Sequence, residues 1–195
     1  MSTILSRAFA QLLLIAMFAS TTALYAQDAR PAARKAEWAA PVDASANLYS
    51  ITPSLYRSAQ LAAKDVALVK SLGIQTVVSL RKFHNDEALF VGTGVKLKRV
   101  RINTWSVGDK HVIAALKAIK DAEKDGPVLL HCLHGADRTG LVSAMYRMIY
   151  QGWSKDDALQ ELTQGGYGYH SMWKNIPTYI KKVDIEKIRL AVEKT

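Results

Sequence analysis

The chain has 195 residues, enough for one domain of ordinary size with its own hydrophobic core. Hydrophobic residue types make up 49% of it, which fits a globular protein and excludes neither a short targeting segment nor an irregular stretch. Lys plus Arg outnumber Asp plus Glu by 26 to 17, a formal net charge of +9. Such a balance points to anionic partners (phosphoryl groups, anionic lipid or nucleic acid) or to no more than a solvated basic surface.

Arg7 is the one charge before Asp28, and residues 8–19 (AFAQLLLIAMFA) form an apolar run of twelve. Small and polar residues follow, then Leu24, Tyr25 and Ala26. This is the charged, apolar and small-residue order of a secretory signal, predicted over residues 1–26. The run is shorter than the roughly 20 residues that span a bilayer. The expectation is a periplasmic or secreted protein with no stable membrane insertion after cleavage; an uncleaved anchor is the alternative. Residues 27–47, rich in Ala, Pro, Arg and Lys, read as a linker whose Trp38 packs back onto the domain, and residues 48–195 as the folded domain.

Residues 48–51 and 55–56 predict short strands around a turn at Pro53. Val66, Val69 and Leu72 fit a helix that stops at Gly73. Residues 74–80 (IQTVVSL) read as a buried strand. Residues 95–102 alternate, but the phase slips near Arg99, which predicts a break or bulge there. Val112, Leu116 and Ile119 mark a helix face that runs to about Lys124. A buried strand follows over residues 128–130. From Leu141 the chain reads as helical to its end, with stops at Gly152 and Gly165, a capping pair Ser154 and Asp157, and a break near Asp184. Strands alternating with helices, then a helical tail, predict an α/β layer sandwich with a central, partly parallel sheet flanked by helices.

Residues 131–140 read HCLHGADRTG, between the last strand and the helix. Strand, tight loop and helix present a helix N-terminus to an anion. Gly135 permits a backbone conformation that lets successive amides turn inward as an anion nest. Cys132, the one cysteine of the chain, sits at the base of that nest, where amides and helix dipole favour the thiolate that attacks. Arg138 offers a planar fork for two phosphoryl oxygens, and Thr139 a hydroxyl for the sulfur. These parts together suit phosphoryl transfer through a cysteinyl-phosphate, with Leu133, His134, Gly135, Ala136, Asp137, Arg138 and Thr139 around the phosphate.

The segment resembles the HCxxGxxRTG signature of the cysteine-dependent tyrosine and dual-specificity phosphatases. Residues 55–60 (LYRSAQ) and 77–81 (VVSLR) resemble strands of the small dual-specificity group. With the signal segment and Gly152-Trp153-Ser154, the chain most resembles bacterial periplasmic members of the biofilm-regulating type, over roughly residues 38–180. The resemblance implies Cys132 as nucleophile and Arg138 as phosphate clamp. It also implies His131 as a support for the loop and a pocket shallow enough for phosphoserine and phosphothreonine beside phosphotyrosine. The implied partner is a phosphorylated protein, such as the periplasmic domain of a membrane protein, or another phosphomonoester. Neither nucleic acid nor any cofactor or metal is expected. A phosphoinositide or inositol-polyphosphate phosphatase, and a pseudophosphatase that binds without turnover, stay open as alternatives.

The general acid is the open position. Family members carry an Asp on the loop before the helix that precedes the catalytic strand. Here that loop, residues 103–110, has Asp109 as its one acid, and Asp137 lies inside the phosphate loop. Asp109 is the first choice and Asp137 the second, because an acid must stand on the side of the leaving oxygen. His131, Cys132 and His134 make a poor metal set, since neighbours at a strand end face opposite ways. His84, His111 and His170 read as surface or satisfied core residues.

Overall fold

The computed structural model describes residues 34–194, and the signal-peptide reading of residues 1–26 lies outside them. Within the unit that begins at Lys35 there are six strands. They are β1 (Ala40–Asp43), β2 (Leu48–Thr52), β3 (Leu55–Ser58), β4 (Thr76–Ser79), β5 (Lys96–Arg99) and β6 (Val128–His131). The sheet order is β1-β2-β3-β6-β4-β5, with the first three strands antiparallel and β3, β6, β4 and β5 parallel. Seven α-helices accompany them: α1 (Val66–Ser71), α2 (Glu87–Phe90), α3 (Asp109–Glu123), α4 (Asp137–Tyr150), α5 (Lys155–Gln164), α6 (Asn175–Lys182) and α7 (Ile185–Glu193). This is the layered α/β architecture that the alternation predicts, with a mixed sheet.

β4 and β6 are buried along their whole length, as strands covered on both faces must be. Their side chains alternate between two cores. Val78 and Leu130 join Leu116 and Ile119 of α3 and Leu141 and Met145 of α4. Val77 and Leu129 join Val69 of α1 and Phe90 of α2. The parallel strands therefore end together on one edge, where β6 runs into α4.

Several boundaries differ from the sequence reading. Regular structure begins at β1, inside the stretch expected to be a linker. β1 is a short edge strand with three exposed residues, one of them Pro41, so it carries no alternation to read. Trp38 and Ala39 before it are buried, and Ala39 N–H donates to Glu161 Oε1 at 2.7 Å. α4 starts at Asp137 rather than Leu141, which puts Arg138 and Thr139 in its first turn. The expected break near Arg99 is the end of β5, and the chain divides into α6 and α7 at Val183 and Asp184, where Asp184 Oδ1 accepts from Lys187 N–H. Ser154 caps α5 through Asp157 N–H, as its spacing predicts.

A buried ion pair fixes the helical layer to the rest. Arg147 of α4 binds Glu161 of α5 through Nε at 2.9 Å and Nη2 at 3.0 Å. Glu161 Oε1 also accepts from the Tyr167 hydroxyl at 2.9 Å. Burial alone would raise the Glu161 carboxyl, but the Arg147 fork, with the Ala39 and Tyr167 donors, carries it below its usual range.

Candidate active site

Residues 132–136 connect the buried end of β6 to the first turn of α4. Each of their carbonyl groups is tied outward. Cys132 O meets His131 Nδ1 at 3.1 Å. Leu133 O accepts from Gln60 N–H at 3.0 Å, and His134 O from Asn47 Nδ2 at 2.8 Å. Gly135 O accepts from Arg57 Nη2 at 2.7 Å, and Ala136 O from Gly140 N–H at 2.8 Å. In a trans peptide the N–H of the next residue points away from the carbonyl. Five outward carbonyls thus turn the amides of residues 133–137 inward, onto the space above Cys132. That is an anion nest capped by a helix N-terminus.

The loop is closely held. Gly135 stands at φ +70°, and a Cβ there would lie 2.6 Å from Ala59 N and Ser58 C. Arg57 reaches it from β3, fully buried, with its guanidinium 3.5 Å from the centre of the Tyr167 ring. Burial pulls the Arg57 guanidinium down from its usual value, and nearby Tyr167 and Glu161 oppose that. Asn47, in a left-handed conformation at φ 49°, donates to both His134 O and Tyr167 O and so joins the loop to the segment after α5.

Under the loop, His131 Nε2 meets Asp86 Oδ2 at 2.9 Å, with both side chains buried. The ring is thus held between the Cys132 carbonyl and the Asp86 carboxylate. Asp86 Oδ1 accepts from Gln60 Nε2 at 2.6 Å, and Gln60 Oε1 accepts from Arg81 Nη1 at 3.1 Å. Burial alone would raise the Asp86 carboxyl, but His131 and Gln60 bring it down to about 2.

Cys132 is buried at the floor of this nest. Arg138 Nη1 donates to Ile102 O at 3.4 Å, while Arg138 Nε and Thr139 Oγ1 are buried without a hydrogen-bond partner among the described residues. A cleft of about 170 Å³ opens beside Arg138, with Arg81, Lys82, Phe83, Thr104 and Trp105 among its walls. Phe83 and Trp105 are 83% and 64% exposed. The predicted site residues from Cys132 to Thr139 are thus brought together.

Asp109 is not among them. It opens α3, accepts from the Tyr179 hydroxyl at 3.0 Å and from Lys187 Nζ at 2.7 Å, and does not line the cleft. The Lys187 hydrogen bond, with that of Tyr179 against some desolvation, holds its carboxyl below the usual range. The expectation that Asp109 is the general acid therefore concerns a carboxylate that is paired, at the start of α3, with Lys187 and Tyr179. Asp137 also has partners. Its Oδ2 meets His170 Nδ1 at 2.9 Å and its Oδ1 accepts from His170 N–H at 3.0 Å. The rings of His170 and His134 lie 4.9 Å apart. His134, Asp137 and His170 offer ligand atoms within 4.8 Å of one another, the one set among the described residues with the makings of a metal site.

Asn47, Arg57, Gln60, Asp86 and His170 carry no role in the sequence reading. One signal was available: Arg57 is a charge in the middle of an apolar strand, and buried charges are rare unless they hold something.

Residues 44–189 match the family described as the tyrosine phosphatase family. The chain belongs to the tyrosine phosphatase family. It is 41% identical over 162 residues to the dual specificity protein phosphatase TpbA of Pseudomonas aeruginosa, a match that covers 83% of this chain and 73% of that one. The crystal structure of P. aeruginosa TpbA superimposes with a TM-score of 0.76 at 40% identity, over 81% of this chain and 98% of the other. A cysteine-to-serine variant of TpbA in complex with phosphotyrosine gives 0.78 at 40% identity, over 83% and 99%. The catalytic core of the PP-IP phosphatase SIW14 of S. cerevisiae gives 0.65 at 20% identity, over 76% and 91%, and shows the fold alone. The phosphatase described here is therefore an enzyme of the tyrosine and dual-specificity class, on a dual-specificity-like fold.

Proposed function

We propose that this phosphatase hydrolyses phosphotyrosine, and with it phosphoserine and phosphothreonine, through a cysteinyl-phosphate on Cys132. The observation that carries the reading is the set of five outward-tied carbonyls, which leaves the amides of residues 133–137 converging over a buried thiol. Sulfur attacks phosphorus, the leaving oxygen departs in line on the opposite side, and water then displaces the thiolate. Arg138 Nε and Thr139 Oγ1, buried and unpartnered among the described residues, are the groups that a phosphoryl oxygen and the sulfur engage. His131, paired with Asp86, supports the loop that carries the cysteine. The likeness to a TpbA variant seen with phosphotyrosine supports the substrate class.

The cleft supports an aromatic phosphoester in acidic company. Phe83 and Trp105 offer faces to a phenyl ring, and Arg81 and Lys82 offer charge to acidic neighbours. The natural partner on this reading is a phosphorylated protein outside the cytoplasm, reached after export through the signal segment of residues 1–26. N-terminal sequencing of the cell-envelope fraction tests the export: a mature chain beginning near Gln27 supports it, and one beginning at Met1 contradicts it.

A panel of phosphotyrosine, phosphoserine and phosphothreonine peptides, phosphoinositides and inositol polyphosphates tests the activity, with Cys132→Ser as control. Turnover of phosphotyrosine peptides, lost in Cys132→Ser with phosphate binding retained, is the expected result. Preference for an inositol phosphate by an order of magnitude in kcat/KM would displace the protein-phosphatase reading.

A further inference from the structure

One cluster of side chains has a use that phosphoryl transfer leaves unexplained. His134, Asp137 and His170 each offer a ligand atom, and these atoms lie within 4.8 Å of one another. An Asp–His hydrogen bond accounts for Asp137 with His170, but not for a second imidazole whose ring lies 4.9 Å from the first. Two imidazoles and one carboxylate make a mixed nitrogen and oxygen donor set. Magnesium and calcium take oxygen donors, whereas zinc and its neighbours accept imidazole readily. Three protein ligands also leave the fourth tetrahedral position of a zinc ion to water.

The donors are braced by the fold. Asp137 opens α4, and its Oδ1 accepts from His170 N–H at 3.0 Å. That bond orients the carboxylate, as partners outside a metal site commonly do. Asp137 Oδ2 then stands 2.9 Å from His170 Nδ1. With bonds of about 2.0–2.1 Å, neighbouring ligand atoms of a tetrahedral zinc ion lie about 3.3 Å apart, so this gap needs only a small opening to admit one. Asn47 Nδ2 donates to His134 O at 2.8 Å and to Tyr167 O at 2.9 Å, which ties the two stretches of backbone that carry the histidines. Tyr167 is itself held by Arg57 and Glu161. The two rings remain open to solvent: His134 is exposed and the His170 side chain is 42% exposed, so an ion can reach them and the His134 ring can turn onto it.

We propose that His134, Asp137 and His170 form a binding site for one divalent transition-metal ion of the zinc class, which ties the phosphate loop to the segment after α5. The ion takes one nitrogen from each ring and one carboxylate oxygen, and water completes the tetrahedron. His134 and Asp137 belong to the stretch whose amides converge over Cys132, while His170 lies 33 residues beyond Asp137, so the bound ion is a cross-brace on that stretch. The site stands independently of the cysteinyl-phosphate reading. The nearest rival for the ion is the Cys132 thiol itself, since thiolates bind zinc well.

Calorimetric titration of the metal-stripped phosphatase with zinc chloride tests this, with magnesium chloride as control and Cys132→Ser to remove the rival ligand. Cys132→Ser should still bind one zinc per chain, with its thermal unfolding midpoint rising as zinc is added, and magnesium should do neither. In that background His170→Ala should weaken zinc binding by about 100-fold or more, the upper end of what even a supporting residue costs. His134→Ala, a change at an exposed ring, should do the same and keeps the test open if His170→Ala does not fold in chelator. Cobalt(II) in place of zinc should give the visible bands of a four-coordinate site in the wild type, without the near-ultraviolet absorption of a sulfur ligand. Zinc binding that is lost in Cys132→Ser, or that survives unchanged in His170→Ala or His134→Ala, would overturn the assignment. So would magnesium binding as tight as zinc, or no zinc uptake at all. Turnover of phosphotyrosine peptides is a separate readout, so the phosphatase reading can fail while the metal site stands, and the reverse.

Discussion

Two Asp–His pairs flank the phosphate loop at the same separation of 2.9 Å, Asp86 with His131 and Asp137 with His170. The first is sealed under β6, its side chains 4% and 0% exposed; the second stands at the mouth at 7% and 42%. The same pair of residue types is placed in two environments. The sealed pair can only support the loop from beneath, while the open pair is within reach of solvent.

The sharpest way to break the comparison is to remove one carboxylate at a time. Asp86→Ala leaves the buried His131 ring and the Gln60 amide without their partner, and stability in denaturant should fall by about 2–3 kcal/mol. Asp137→Asn keeps an acceptor for His170, and its stability should stay within about 1 kcal/mol of wild type. Equal costs would mean that the two pairs are both structural.

Gly135→Ala should come next. The new Cβ meets backbone at 2.6 Å in a left-handed conformation, so about 2–4 kcal/mol of stability and most of the turnover should go together. Retained activity would show that the loop has slack that its outward bonds do not suggest.

Acid titration sharpens the sealed pair. A carboxyl whose folded value lies below its unfolded one stabilises above the unfolded value and loses that contribution as pH falls through the folded one. Asp86 sits at about 2 against an ordinary 3.8, so about 2 kcal/mol should be present above pH ~4 and fade as pH falls toward ~2. Asp86→Asn should flatten that part of the stability curve, and an unchanged slope would remove Asp86 from it. The smallest effect belongs to the surface: Lys187→Ala should cost under about 1 kcal/mol, and Asp109→Asn should leave kcat/KM for phenyl phosphate within about 3-fold. A selective loss in Asp109→Asn would give the acid role to that loop.

The parts of the site legible in the sequence are those contiguous in it. HCLHGADRTG carries nucleophile, clamp and helix start in ten residues, and the strand before it is apolar enough to be read as buried. The supports come from elsewhere: Asn47 lies 87 residues from the loop carbonyl it holds, Arg57 78 and Asp86 45 from the groups they bind. Nothing in one sequence pairs such positions, because the sheet topology that joins β3, β4 and β6 is what brings them together. The surroundings of Asp109 are hidden for a related reason. A carboxylate just before a helix serves many ends, and the Lys187 that captures it is 78 residues away. β1 was missed because a short edge strand has one partner and little burial to leave a pattern.

The central claim is a covalent phosphate on Cys132. Mixing the protein with a radiolabelled phosphotyrosyl peptide, stopping the reaction within one turnover in alkaline detergent and mapping the label by mass spectrometry tests it directly. The account predicts label on the peptide that contains Cys132, at no more than one phosphate per chain, and none in Cys132→Ser. Label on another residue, or full turnover by Cys132→Ser, would contradict it.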